Sequence, residues 1–286
     1  MDRALALRKG TVVVAVIAAF ILSGCGSGSS GDDAAAEARR DNVEAMAKEH
    51  ADDTSDASPA ALMEPSRAVE SELMPYTEFN EDLVYGYFAA PADMFEPLPA
   101  VIMIHEWWGL NDNIKAMANR LAGEGYIVFA VDLYKGNTAD TPGEARALMT
   151  EAIEDIDSIN DNLRAAYRFV TETAGAPRVG SIGWCFGGGM SLNTAQLYPE
   201  ELDAAVIYYG QVTGDEELLR PVGAPILGLF AEEDSAISVE SVEAFSTALE
   251  RLRKNYEVHI YPDVGHAVAN PTGRNYSMAA AEDAWR

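Results

Sequence analysis

Residues 179–189 read Val179-Gly180-Ser181-Ile182-Gly183-Trp184-Cys185-Phe186-Gly187-Gly188-Gly189, and this stretch decides the fold. Val179–Gly183 is a short buried strand, and a helix runs on from Gly188 to Leu197. The turn between them carries Cys185, with a glycine two residues to either side. That is a nucleophile elbow with Cys in place of Ser. Its glycines let a strained turn pack against neighbouring backbone. The turn lifts the sulfur above the sheet at a helix N-terminus, where the dipole favours a thiolate. No G-x-S-x-G occurs in the chain, so a serine elbow is not available. A dinucleotide-binding reading fails too, because the turn lacks the G-x-G-x-x-G spacing.

Strands and helices alternate outward from this point. Upstream, Leu83–Ala89, the fully apolar Ala100–Ile104 and Tyr126–Val131 read as strands. Asn113–Gly123 places Ile114, Met117, Ala118 and Leu121 at helical spacing. Pro142–Thr173 is helical with a break near Ile156–Ser158. Downstream, Ala204–Tyr209, Ile226–Ala231 and Tyr256–Tyr261 are strands, Val239–Leu252 is a helix, and a last helix begins near Tyr276. It reaches Ala284-Trp285-Arg286 without a cap, as a chain cut short would. This alternation predicts an α/β domain from Tyr76 onward, a mostly parallel sheet with helices on both faces. Chemistry is then expected in the loops after the carboxyl ends of the strands.

Two such loops follow Cys185 in the order acid, then base. Ile226–Ala231 runs into Glu232-Glu233-Asp234, and the last strand runs into Asp263-Val264-Gly265-His266. Of the four histidines, His50 lies far upstream, His105 precedes the nucleophile and His259 sits inside a strand. His266 alone follows Cys185 in a loop after a strand, which makes it the candidate base. Asp234 is the candidate acid, with Glu232, Glu233 and Asp263 as neighbours that could serve instead.

The 286 residues carry 20 Lys+Arg against 46 Asp+Glu, a formal net charge of −26. Such acidity argues against a nucleic-acid partner, which needs clustered cations. It argues equally against electrostatic adsorption to anionic lipid. Two cysteines, Cys25 and Cys185, exclude a disulfide framework and a thiolate-built zinc site. The N-terminus reads as an address. Arg3, Arg8 and Lys9 precede the apolar run Thr11–Leu22, which is too short to span a bilayer comfortably. Leu22-Ser23-Gly24-Cys25 follows, and it resembles the lipobox of bacterial lipoproteins. The resemblance implies cleavage after residue 24 and lipidation of Cys25. With Gly26 next, the sorting pattern points to the outer membrane, facing the periplasm. Lipid chains would be the only hold on a membrane. Residues 25–75 are small, acidic and poor in aromatics, so they are expected to be a solvated tether with at most a short helix around 34–48.

Taken together, His105-Glu106-Trp107-Trp108-Gly109-Leu110, Asp132-Leu133-Tyr134, Gly183-Trp184-Cys185-Phe186-Gly187-Gly188 and Gly265-His266 resemble the dienelactone hydrolase family. The resemblance spans the chain from about Tyr76 onward. It implies an α/β-hydrolase fold and a Cys-Asp-His triad of Cys185, Asp234 and His266. It also implies that Glu106 contacts the resting nucleophile and helps to deprotonate it. The backbone N–H groups of Trp107 and Phe186 would form the oxyanion hole, worth about 3–4 kcal/mol each. Family enzymes that take a carboxylated lactone hold it with arginines, one of them four residues after the catalytic His. Asn270 stands there in this chain, and Lys135 could replace another basic group.

These readings converge on a cysteine-nucleophile hydrolase of lactones or carboxylic esters that needs no metal or organic cofactor. Trp107, Trp108, Trp184 and Phe186 suggest an apolar pocket, with Lys135 and Asn270 at its polar end. The expected partner is a small-molecule ester or lactone, and a monomer is the favoured state. A promiscuous carboxylesterase or thioesterase on the same triad is the near alternative. A catalytically silent envelope lipoprotein that uses the fold to bind a ligand is the distant one.

Overall fold

The structure, a computed structural model, describes residues 40–57 and 63–286. The expected lipobox, residues 22–25, lies outside the described residues. One eight-stranded sheet organises the chain in the order β1-β2-β4-β3-β5-β6-β7-β8. Strands β1 (Val69–Phe79) and β2 (Asp82–Pro91) form an antiparallel hairpin. Its two-residue turn puts Asn80 and Glu81 at φ of 50° and 70°, the left-handed pair that matches strand twist. Strand β2 then pairs antiparallel with β4 (Ile127–Val131). From there β3 (Ala100–Ile104), β5 (Val179–Trp184), β6 (Ala204–Tyr208), β7 (Ile226–Ala231) and β8 (Tyr256–Tyr261) run parallel. Central strands β3 and β4 are buried almost throughout, which is why they read as continuous apolar runs.

Helix α1 covers residues 40–49, and α2 covers Asp112–Gly123. The long helical region separates into α3 (Pro142–Glu154) and α4 (Ile156–Arg168). Asp155 makes the break. It sits outside helical geometry at φ −116°, ψ 64°, closes α3 through its N–H, and caps α4 by accepting from the Ser158 N–H. Thr141 and Glu144 cap the start of α3 reciprocally around Pro142. A π-turn, Phe169–Thr173, extends α4 and stacks Phe169 on Phe129 at 4.3 Å. Helix α5 (Phe186–Leu197) follows the elbow, then α6 (Glu216–Leu219), α7 (Val239–Arg251) and α8 (Met278–Trp285).

The expected solvated tether does not hold over residues 40–57 and 63–75. Val43, Met46 and His50 are buried, and β1 begins at Val69. Acidic composition hid one apolar helical face. Val43, Met46 and His50 fall three and four residues apart, the spacing of a single helix stripe, while Glu44 and Lys48 face outward.

Close backbone approach fixes the middle of the sheet. A Cβ on Gly183 would stand 2.0 Å from the carbonyl oxygen of Gly187. One on Gly187 would meet the Ile104 and His105 carbonyl oxygens at 2.3 and 2.5 Å, and one on Gly188 would meet the Tyr208 oxygen at 2.6 Å. The start of α5 therefore presses on the ends of β3 and β6. Gly187→Ala should cost about 1–3 kcal/mol, a fall in Tm of roughly 2–12 °C. Gly143→Ala, with open space around it at the start of α3, should be neutral or stabilising by up to about 1 kcal/mol. Differential scanning calorimetry of both variants checks the contrast, and equal melting would refute the crowding argument.

Candidate active site

Cys185 sits at the top of β5 with φ 56° and ψ −118°, a conformation that costs an L-residue energy. Hydrogen bonds hold it there. Its N–H donates to the Tyr208 carbonyl at 3.0 Å, and its own carbonyl accepts from Gly188 and Gly189. The side chain lies at the N-terminus of α5 and is fully buried.

His266 and Asp234 converge on it from the loops after β8 and β7. His266 Nδ1 lies 2.6 Å from Asp234 Oδ2. The other oxygen of Asp234 accepts from the Ala236 and Ile237 N–H groups, both at 2.8 Å, which fixes the carboxylate. With Nδ1–H committed to Asp234, the remaining nitrogen is left for chemistry. It is buried and without a hydrogen-bond partner. Ring nitrogens of His266 and His50 and the Cys185 sulfur all lie within 4.8 Å of one another.

Glu106 follows β3 and is buried, but it forms no hydrogen bond to Cys185 among the described residues. Its Oε2 accepts from Asn270 Nδ2 at 3.0 Å, and its Oε1 faces the Tyr209 hydroxyl at 3.5 Å. Burial, and then the negative charge of Cys185, push its carboxyl up to about 7. His105, beside it, is a neutral strut. Its Nδ1 donates to the Glu106 carbonyl at 2.6 Å and its Nε2 accepts from the Leu133 N–H at 3.1 Å, tying the loop after β3 to the loop after β4. Burial holds that imidazole below its ordinary pKa, as the neutral form requires. Asp132 shapes the second loop by accepting from the Tyr134 and Gly136 N–H groups. Among the described residues, the Trp107 and Phe186 N–H groups make no backbone hydrogen bond outside the helices and strands.

A fourth group was not expected. His50, at the end of α1, lies with Nε2 3.6 Å from Cys185 Sγ. Its Nδ1 contacts Asp53 Oδ2 at 2.7 Å, and its ring stacks on Trp107 with centroids 4.8 Å apart. The sulfur of Met46 is 3.5 Å from Cys185 Sγ. Cys185 is thus flanked by two imidazoles, each backed by a carboxylate. Burial opposes ionisation of the Cys185 thiol, but the His266 and His50 imidazoles outweigh it and bring the thiol down to about 6. Burial likewise opposes charge on His50, yet Asp53 and Cys185 raise it to about 9. Asp234 and Cys185 carry His266 well above its usual value in the same way. His50, Cys185 and His266 are also a donor set that can take a metal ion.

The expected pocket residues fall elsewhere. A cavity of about 130 Å³ reaches Cys185, lined by Asn42, Met149, Ile153, Ile156, Phe186 and Met190 among others. Of the proposed aromatics only Phe186 lines it. Trp108 is packed edge-on against Trp107 in the core. Trp184 turns towards Tyr208 and a separate cavity shared with Arg120 and Trp285. Lys135 lies over the Phe79 ring at 3.3 Å and lines a different cleft. Asn270 holds Glu106 rather than facing the apolar cavity. The physical reason is shared: bulky motif residues beside an elbow are core, while the open space lies between α1, α3 and α5.

Residues 84–286 match the dienelactone hydrolase family. A protein of Saccharolobus solfataricus named as a candidate carboxymethylenebutenolidase is 32% identical over 239 residues, covering 71% of this chain and 90% of the relative. Another with the same name, from Escherichia coli K12, is 33% identical and covers 72% of this chain and 80% of its own. Among solved structures, a candidate dienelactone hydrolase from Klebsiella pneumoniae superposes with a TM-score of 0.67 at 27% identity, over 77% of this chain and 96% of that one. Residues 40–57, which bring His50 and Asp53 to Cys185, precede the matched range. With an eight-stranded α/β-hydrolase sheet, an elbow at its centre and a match that runs from β2 through α8, the chain belongs to the dienelactone hydrolase family.

Proposed function

We propose that this hydrolase opens neutral carboxylic esters or lactones through a thioester on Cys185. The observation that carries the reading is the strained, fully buried Cys185 facing an Asp234-held imidazole. In this mechanism the thiolate attacks the substrate carbonyl, and the N–H groups of Trp107 and Phe186 receive the oxyanion. Alkoxide leaves, and water directed by His266 then releases the acid. Glu106 is held by Asn270 and Tyr209 and makes no hydrogen bond to the sulfur among the described residues. Against burial, the His266 and His50 imidazoles bring the Cys185 thiol down to about 6, which favours the attacking thiolate.

The cavity beside the sulfur supports a neutral, apolar acyl group. Met149, Ile153, Ile156, Phe186 and Met190 surround it, and no Lys or Arg is among its lining residues. A buried carboxylate there would lack a cation, at a cost of several kcal/mol. We further propose that Cys25 carries a lipid and anchors the enzyme to the cell envelope, on the strength of Leu22-Ser23-Gly24-Cys25 behind an apolar run.

Three outcomes are expected. Cys185→Ala abolishes turnover while leaving the melting temperature near wild type, and mass spectrometry of wild type quenched during turnover finds an acyl mass on Cys185; full activity in the alanine variant would remove the mechanism. A matched pair of lactones differing by one carboxylate shows kcat/KM about 10²-fold higher for the neutral member, and a preference for the acid would reverse the substrate assignment. Metabolic labelling with a fatty-acid analogue marks wild type and not Cys25→Ala; an unlabelled wild type would refute the anchor.

A further inference from the structure

Residues 40–57 form a strap across the nucleophile, and the strap is built into the site. Arg146 pairs with Glu44, Ser235 donates to Glu49, and Asn42 donates to Gln211. The Arg274 N–H donates to Asp53, Thr272 to the Thr54 carbonyl, and Asn111 to the Ser55 carbonyl. Val43 and Met46 are buried beneath it. Even with the strap seated, the acyl cavity still reaches Cys185, and Asn42 of the strap forms part of its wall. A plug would fill that space, whereas this strap encloses it.

The strap presents the nucleophile with a second imidazole–carboxylate pair. His50 has the same construction as His266: Nδ1 tied to a carboxylate, the ring fully buried, and Nε2 turned to the sulfur. We propose that His50, held by Asp53, is a second catalytic acid of this hydrolase, giving its Nε2 proton to the leaving oxygen of the ester. The inference rests on Cys185 being the nucleophile.

The cycle balances. Cys185 thiolate adds to the carbonyl carbon, and the carbonyl π pair moves onto oxygen. When that pair returns, the C–O bond to the leaving group breaks and the alkoxide takes the Nε2 proton of His50. The products of this half are an alcohol, a thioester and a neutral His50. With the thiolate consumed, His266 loses the charge that held its proton and releases it to solvent. Neutral His266 then removes a proton from water, hydroxide adds to the thioester, and the C–S bond breaks to restore the thiolate. His50 regains a proton from solvent, and the net reaction is ester plus water to acid plus alcohol.

His50 is placed to be the donor, with Nδ1 tied to Asp53 and Nε2 3.6 Å from the Cys185 sulfur. Asp53 from its own turn, Cys185 from the start of α5, His266 from the loop after β8 and Glu106 from the loop after β3 are the ionisable groups around it.

Leaving-group dependence tests the assignment in the full-length protein. Two esters of one acyl chain are compared, an ethyl ester, whose alkoxide needs a proton to leave, and a p-nitrophenyl ester, whose phenolate does not. His50→Gln should lose roughly 10²-fold in kcat/KM on the ethyl ester and less than about threefold on the p-nitrophenyl ester. Asp53→Asn should show the same pattern more weakly, and it carries the test if His50→Gln melts early. Chelation of the wild type should change neither rate. Equal losses on both esters would reduce His50 to a structural prop and overturn the proposal. A gain in either variant would make the strap an inhibitor, and loss on chelation would make His50 a metal ligand; both refute it. If the p-nitrophenyl ester is cleaved with the predicted acyl mass while the ethyl-ester loss is absent, only the role of His50 falls. If wild type cleaves neither ester, the thioester mechanism itself falls.

Discussion

The contact between Gly187 and the carbonyl oxygens of Ile104 and His105 governs this molecule. It lets α5 begin directly against the end of β3, and so forces the preceding residue into a positive-φ turn. Cys185 is therefore aimed by backbone packing before any side chain acts on it. The same contact sets the neighbours. Glu106 and Trp107 follow the pressed end of β3, and Tyr208 accepts the Cys185 N–H from the end of β6. The pose of Cys185 and of the residues that follow β3 is a consequence of one crowded junction in the sheet.

Charge is distributed around that junction in pairs. A buried thiolate alone would be costly, and a buried imidazolium equally so. Here Asp234 offsets His266, Asp53 offsets His50, and the two rings share the sulfur between them. Glu106 stands outside these pairs, with its proton held by burial and by the nearby sulfur. Ionisation of Cys185 is then a property of the whole buried group, since removing either ring leaves a charge without its partner.

The alternation of strands and helices, the elbow and the Cys185–Asp234–His266 convergence could be read from the sequence because each has a local signature. Strand β3 is an unbroken apolar run, Gly183 and Gly187 bracket the nucleophile, and Asp234 and His266 each follow a strand in the required order. What escaped lacked such a signature. His50 sits in a segment whose composition is that of a solvated spacer, and only the Val43–Met46–His50 stripe marks a buried face. Strand β1 was hidden because it is an edge strand with Glu70 and Glu72 exposed, which blunts the hydrophobic alternation. Trp184 and Asn270 do line a small cavity with Glu106, whereas the apolar cavity beside Cys185 escaped for another reason. Trp108, Trp184, Lys135 and Asn270 are near the motifs in sequence, but the cavity lies between helices that carry no motif, and Met149 and Met190 announce nothing in one dimension.

The strap also constrains when the enzyme becomes reactive. His50 meets Cys185 across 135 positions of chain, and Asp53 meets the Arg274 N–H across 221. Loops of that length close late, after the local pairings of the sheet have formed. The segment that emerges first during synthesis must therefore wait for the part that emerges last. Until β8 and the residues beyond it are in place, neither imidazole flanks the sulfur, and Cys185 remains an ordinary thiol of weak nucleophilicity. The sulfur gains its two imidazole neighbours only at the last step of assembly, so a partly folded chain carries a comparatively inert cysteine.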